Sequence, residues 1–214
     1  MFSGTLYRYT EYYISFNNED WRMIAVENDR VLKIIRNANI GKKQWDSSES
    51  NNWVRPATLN TYLNNDYYNS LSADAQSQIQ SHAYGIGAVT YGNTDLAGQI
   101  ASENGTVWTG NIGLMSVSDY LRANTNIEQC GNFSLNNINA SICKTTNYLY
   151  NKNFPWTISP DADISTKALY VRSVGAINHN STRQFDFTVW PVLYLKSDIT
   201  LTGEGTQEKP YKIA

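Results

Sequence analysis

Charged side chains are scarce in this chain. Only 17% of its 214 residues are Asp, Glu, Lys or Arg, and the net charge is −2. A chain of this charge has no basic field for a polyanion and no cationic face for anionic lipid. The composition therefore excludes nucleic acid as a partner and predicts no membrane contact by this domain.

Long apolar runs are also missing. No segment is hydrophobic enough to cross a bilayer, and the start, Met1 to Tyr13, is polar and aromatic, unlike a signal peptide. If the protein is exported, we expect a targeting segment to have been removed from this chain.

Cysteine and histidine occur twice each. Cys130 and Cys143 are thirteen positions apart and have no second Cys or His cluster beside them, so the pattern does not predict a zinc site, and no cofactor is expected. A loop-closing disulfide is the simplest interpretation and predicts an oxidising, extracellular compartment. The alternative is two unpaired buried thiols.

Neutral polar and aromatic side chains are abundant instead. The chain has 25 Asn, 15 Tyr and 6 Trp residues. Such a surface supplies hydrogen bonds and aromatic faces at low charge, which is typical of glycan binding and of adaptable protein recognition. An AT-rich genome would produce the same bias. Flanking polar residues favour exposure of Trp45, Trp53 and Trp108, whereas the core is predicted to hold Trp21, Trp156 and Trp190.

The order of patterns predicts an α+β chain in one domain, 1–214. Short β-branched and aromatic runs predict an antiparallel meander from Thr5 to Ile40, with strands over 12–16, 21–26 and 31–35, and later strands at 112–115, 156–158, 168–172 and 188–195. Steps of three and four residues from Leu59 to Leu71 predict an amphipathic helix beginning near Pro56. Two shorter helices are predicted at 73–79, capped by Ser72, and at 117–122, capped by Ser116 or Ser118. Two stretches are predicted to be irregular, 85–113 with one strand at most, and 124–147.

Several phrases of the sequence are recognisable together and in order. They are Leu59-x-x-Tyr62-Leu63-Asn64-x-x-Tyr67-Tyr68, Ile112-Gly113-Leu114-Met115-Ser116-Val117-Ser118-Asp119-Tyr120, Trp156-Thr157-Ile158-Ser159-Pro160, and Trp190-Pro191-Val192-Leu193-Tyr194-Leu195 with the tail Gly203 to Tyr211. The chain resembles an uncharacterised family of bacterial extracellular C-type-lectin-like domains, which often follow prepilin-type or membrane-anchoring N-termini in Gram-positive gut bacteria. The resemblance implies small antiparallel sheets, two main helices and long loops.

That resemblance implies a ligand-binding surface on long loops over a small sheet. We expect the surface in the segment from Asp161 to Lys167 and in a turn from Asn178 to Asp186. The candidate ligand-binding residues are Asp161, Asp163, Asn178, His179, Asn180, Arg183 and Asp186. The alternatives are an ordinary hydrophilic hairpin with His179 at its tip, and a turn with solvated aspartates; a calcium site at Asp161 and Asp163 is less favoured.

No catalytic motif is recognisable. The chain lacks a Gly-x-Ser-x-Gly elbow, and the cysteine pair lies well before the closing strands, outside the context that formylglycine-generating enzymes require. The leading hypothesis is a non-catalytic, surface-displayed recognition domain, adhesin-like or pilus-associated, that binds a glycan or protein ligand. The alternatives are a structural pilin-like headgroup that contacts other pilus subunits, and an enzyme on a formylglycine-generating-enzyme-like fold.

Overall fold

A computed structural model of the chain describes residues 12–92, 96–126, 130, 141–150 and 153–214. The strands are β1 (Tyr13–Phe16), β2 (Glu19–Val26), β3 (Leu32–Arg36), β4 (His82–Gly85), β5 (Val107–Gly110), β6 (Ile112–Gly113), β7 (Trp156–Pro160), β8 (Lys167–Val171), β9 (Ile177–Ser181), β10 (Val192–Leu195), β11 (Leu201–Thr202) and β12 (Tyr211–Ile213). The helices are α1 (Thr58–Tyr62), a π-helical turn (Leu63–Tyr67), α2 (Tyr68–Ser70), α3 (Ala73–Gln78), α4 (Leu96–Asn104), α5 (Val117–Arg122) and α6 (Ser141–Thr145).

The described strands form three sheets. The largest has seven strands in the order β11-β12-β1-β2-β3-β10-β6, in which only the pairing of β1 with β12 is parallel. The second is the hairpin β4-β5, and the third is the antiparallel sheet β7-β8-β9. One hydrophobic cluster contains side chains from all three sheets and from α1 and α5. The chain is therefore α+β, with one large and two small sheets that are almost entirely antiparallel, and with short helices.

The predicted N-terminal meander is confirmed over its described part. β1 and β2 join through Asn17 and Asn18, which both have positive φ, as a two-residue hairpin turn of the mirror-image type requires. β2 pairs with β3 with an irregularity between Met23 and Ala25. Because side chains alternate along β1, Ile14 and Phe16 both point into the core and are buried. The Phe16 ring packs edge to face against the Trp21 ring.

The predicted amphipathic helix is present, but it begins at Thr58 and not at Pro56, whose preceding peptide bond is cis. The Ala57 cap position offers no side-chain acceptor, so the Asp46 carboxylate accepts hydrogen bonds from the Thr58 amide (3.2 Å) and hydroxyl (3.1 Å) instead. The apolar face that the sequence predicts, from Leu59 onward, is buried. A π-helical turn interrupts the helix at Leu63–Tyr67. The Ser72 cap of α3 is confirmed.

The prediction for 85–113 was wrong in its main point. Between the end of β4 and β6, this stretch contains the expected single strand, β5, but also the helix α4, whereas the sequence has no strong helical period there; residues 93–95 lie outside the described residues. Gly98 inside the helix and a polar C-terminal half weaken the pattern, because helix prediction depends on an apolar stripe. Long-range contacts, described below for Glu103, hold the helix.

Near the C-terminus, the strands predicted at 156–158 and 168–172 are confirmed as β7 and β8. The strand predicted over 188–195 is shorter, because β10 begins only at Val192. Pro191 has no N–H to donate, so the regular ladder starts after it. β10 then lies between β3 and β6 and is completely buried.

Two of the tryptophans predicted to be exposed are in the core. Trp45 and Trp53 are 0% and 1% exposed, and their rings pack edge to face at 5.1 Å. Trp108 is partly buried and lies 5.8 Å from Trp53. The Trp45 indole also donates to the Thr157 carbonyl at 3.0 Å, which satisfies its polar atom. Polar flanking residues are therefore a poor guide to the exposure of these two tryptophans, because long-range packing decides it. Trp21 and Trp156 are core residues as predicted, and Trp190 is partly buried.

The predicted disulfide is confirmed: Cys130 and Cys143 are bonded. The stretch predicted to be a loop contains the short helix α6, which carries Cys143; residues 127–129 and 131–140 of that prediction lie outside the described residues. Among the helices of the described ranges, none is both long and apolar enough to cross a membrane.

Glu103, near the end of α4, is 1% exposed and holds the first turn of α5. Its Oε1 accepts from the Val117 amide and its Oε2 from the Ser118 amide, each at 2.9 Å. The Ser159 hydroxyl of β7 donates to the same Oε1. Burial raises the pKa of Glu103, and the hydrogen bonds from Ser118 and Ser159 offset part of that rise. One carboxylate thus joins α4, α5 and β7.

We expect Glu103→Gln to lower the free energy of unfolding by about 1–3 kcal/mol, measured by chemical denaturation. In either orientation, the Gln amide turns its NH₂ group toward one of the two backbone N–H donors and loses that hydrogen bond. The matched control is Glu208→Gln at an exposed position, which we expect to stay within about 0.5 kcal/mol of the parent. Equal stability of the two variants would contradict this role of Glu103.

Candidate ligand-binding face

The sheet β7-β8-β9 carries most of the residues that the sequence predicts for ligand binding. β8 and β9 pair with Leu169 opposite His179 and Lys167 opposite Ser181. Asp161 directly follows β7 and bridges to Val89. Residues that lie far apart in the sequence therefore meet at one rim of this small sheet.

Asp161 and His179 form the centre of the site. The Asp161 side chain is buried, and its Oδ1 accepts from the backbone amides of Asp163 (2.8 Å) and Ile164 (3.2 Å). Its Oδ2 is hydrogen-bonded to Nδ1 of His179. A carboxylate can only accept, so the proton of that bond belongs to Nδ1.

The second ring nitrogen of His179 faces a cation. Nζ of Lys167 lies 3.4 Å from Nε2 of His179, where an ammonium donor meets the ring lone pair. The Tyr91 ring stacks on the imidazole, with centroids 4.4 Å apart and planes at 27°. Backbone bonds between Val89 and the end of β7 hold the Tyr91 segment in place, at 2.9 Å to the Pro160 carbonyl and 3.0 Å from the Ala162 amide.

A second polar group borders this pair. The exposed Glu49 accepts from the Ser181 hydroxyl at 3.3 Å and lies 3.5 Å from the Arg183 guanidinium. Asn51 fixes the loop after Asp161, because its side-chain amide donates to the carbonyls of Asp161, Ile164 and Lys167 at 2.9–3.2 Å. We call the group of Tyr91, Asp161, Lys167, His179 and Ser181 the His179 face.

The prediction of a turn from Asn178 to Asp186 was wrong for its first four residues, which belong to a strand. His179 is not at a hairpin tip but in the middle of β9, which runs from Ile177 to Ser181. Successive side chains of a strand point to opposite faces, so Asn178 and Asn180 lie on the face opposite to His179. Their Oδ1 atoms each accept from the next backbone amide at 2.8 Å.

The remaining predicted residues are distributed unevenly. Arg183 contributes through Glu49 at the border of the His179 face. Asp163 and Asp186 are both exposed, and Asp163 reaches the site only through its backbone amide. In the described ranges, no group of three His, Cys, Asp or Glu side chains is arranged to hold a metal ion.

Sequence reasoning missed Tyr91, Glu49 and Asn51. They come from two irregular segments that precede the sheet by more than sixty residues, and local patterns give no signal for such contacts. The role of Asn51 is explained by its contacts, since its side-chain amide satisfies three loop carbonyls that need a donor.

No protein-family model matches this chain, and the searches found no curated protein and no solved structure with significant similarity to it.

The geometry predicts an unusual tautomer for His179, with the proton on Nδ1. In Asp161→Asn, the Asn oxygen is needed by the two loop amides, so its NH₂ group faces Nδ1 and we expect the ring proton to move to Nε2. Long-range ¹H–¹⁵N correlation spectra of the imidazole would report the change directly. Asp163→Asn is the control and should leave the parent tautomer. The same tautomer in all three proteins would contradict the assigned hydrogen bond.

Proposed function

We propose that this chain is a non-catalytic recognition domain that binds a glycan through the His179 face. The observation that carries the proposal is the hydrogen bond between Asp161 and His179, together with the Tyr91 ring that stacks on the His179 imidazole. It brings fixed polar groups and an aromatic ring together at the rim of a small sheet.

The chemistry of this face suits a hydroxyl-rich ligand. Lys167 supplies donors, Ser181 supplies a hydroxyl that donates or accepts, and the neighbouring Glu49 supplies carboxylate acceptors. Positive and negative side chains alternate along the rim, so the face favours no strongly charged ligand. An aromatic ring next to directional polar groups is the usual combination for a sugar ring, which has apolar C–H faces and polar edges.

The supporting groups are held before any ligand arrives. Asp161 is fixed by two loop amides, and Asn51 ties the loop carbonyls together. Polar groups that are already ordered lose little conformational entropy on binding, which favours affinity.

The wider setting is part of the same proposal. The α+β arrangement of mainly antiparallel sheets is compatible with a C-type-lectin-like fold, and the disulfide supports an oxidising compartment outside the cell. An adhesin or a pilus-associated module displayed on a cell surface would combine these features.

A glycan array with the purified domain tests the proposal. We expect a reproducible hit whose signal falls about tenfold or more in Tyr91→Leu and in Lys167→Gln, because each change removes one contact of about 1.4 kcal/mol or more. The matched control is Asp186→Asn, at an exposed position outside the His179 face, and it should bind like the parent.

Two results would count against glycan binding. Silence on the array from a protein shown to be folded and disulfide-bonded would favour protein recognition. Concentration-dependent self-association in sedimentation experiments, together with that silence, would favour a pilin-like structural subunit.

A further inference from the structure

A polar pocket lies apart from the His179 face. Its volume is about 320 Å³, at the lower end of the range of about 300–1,000 Å³ that is usual for ligand pockets. Residues of β2, β3, β4, α4, α5, β7 and β10 line it. None of the residues predicted for ligand binding is among its lining residues.

The base of the pocket holds a buried ion pair. Nζ of Lys33 donates to Oδ2 of Asp119 at 2.7 Å, and each side chain is only 9% exposed. The Ser116 amide donates to the same oxygen at 2.8 Å, which completes a capping box at the start of α5. The Lys33 ammonium and these hydrogen bonds hold the pKa of Asp119 below its ordinary value despite burial.

Besides Glu103, whose oxygens accept from the first amides of α5 and from Ser159, two further charged side chains line the same pocket and extend the pair. The Glu27 carboxylate acts on Lys33 by its charge, and the Arg122 guanidinium acts on Asp119 in the same way. The charges therefore alternate as Glu27, Lys33, Asp119 and Arg122. Within the described part of the chain, neither Glu27 nor Arg122 has an ion-pair partner or a side-chain hydrogen bond, although they have opposite charges and line one pocket.

At the base of the pocket, one carboxylate oxygen of Asp119 is still able to accept a hydrogen bond. Oδ1 of Asp119 accepts no hydrogen bond from any described residue. The Tyr194 hydroxyl lies beside the Lys33 ammonium, and the Asp119 and Glu27 carboxylates act on it by their charge. The wall next to these groups is aromatic, since the His82 ring stacks on Tyr194 at a centroid distance of 4.1 Å.

We propose that this pocket binds a small zwitterion of the free α-amino acid class. The ligand carboxylate meets the Arg122 guanidinium, and the ligand ammonium meets the Glu27 carboxylate and the free Oδ1 of Asp119. The ligand thereby closes the row of alternating charges, and its side chain lies along the rings of His82 and Tyr194.

The charge arrangement favours this class over others. A simple anion would pair with Arg122 but leave Glu27 unpaired and repelled, and a simple cation would do the reverse. A neutral sugar would satisfy hydrogen bonds but would leave both charges at the mouth without partners. Only a ligand that carries both charges gives Glu27 and Arg122 each a partner.

Isothermal titration of the full chain with a panel of free L-α-amino acids tests the proposal. We expect saturable binding of at least one member with a Kd of about 1 mM or tighter, which is ordinary for a ligand of about ten heavy atoms. Two analogues of that amino acid are then compared. Its amide lacks the carboxylate, its N-acetyl derivative lacks the ammonium, and each should bind about tenfold more weakly.

Variants locate each charge. Arg122→Gln should weaken the amino acid about tenfold and leave the affinity of the amide analogue unchanged, since that analogue no longer uses the guanidinium. Glu27→Gln should weaken the amino acid and leave the N-acetyl derivative unchanged. The controls are Arg172→Gln and Glu208→Gln, exposed positions outside the pocket, which should bind like the parent.

Three results would overturn the proposal. They are no saturable binding of any amino acid by the folded protein, equal binding of the amino acid and both analogues, and binding that neither Arg122→Gln nor Glu27→Gln alters. Because the His179 face is not involved, Tyr91→Leu should leave amino-acid binding unchanged whether or not that face binds a glycan.

Discussion

The buried carboxylate of Glu103 is the contact on which the arrangement of this molecule depends. It caps the first turn of α5 from the end of α4 and takes a hydrogen bond from Ser159 in β7. A short helix of this kind has little stability of its own, so its position depends on such tertiary contacts. Once α5 is fixed, Asp119 faces Lys33 of the large sheet. Through Glu103 on one side and the Asp119–Lys33 pair on the other, α5 connects the three-stranded sheet with the large sheet.

The two candidate sites differ in how they are built. The His179 face lies at the rim of β7-β8-β9, and loop segments bring Tyr91 and Glu49 to it. The pocket above the Lys33–Asp119 ion pair is lined mainly by residues of strands and helices, and that buried ion pair forms its base. Directional groups on ordered elements are the setting in which small polar ligands are recognised with little entropic loss.

Patterns that depend on neighbours in sequence were predictable. The N-terminal meander, the apolar face of the helix from Leu59 and the helix at 117–122 all rest on spacing of two to four residues, and Ser116 is the one of the two predicted caps that is used. The disulfide was predictable because only two cysteines are present.

The predictions that were wrong concern features that depend on contacts between residues far apart in the sequence. The helix α4 is held by Glu103, and Trp45 is buried against Trp53 and hydrogen-bonded to the Thr157 carbonyl. His179 lies in a strand whose sequence, Ile-Asn-His-Asn-Ser, looks like a turn. Asp161 and His179 were both predicted, but their pairing was not, because it depends on the register of β9 against β8 and on the place where β7 ends.

The central claim is that the His179 face binds a glycan, and amide chemical-shift mapping tests it most directly. A pool of soluble neutral oligosaccharides would be titrated into ¹⁵N-labelled protein. The account predicts saturable shifts confined to the amides around Tyr91, from Asp161 to Lys167 and from Ile177 to Arg183. Saturable shifts that map to other surfaces, or none at all from a well-folded sample, would contradict it.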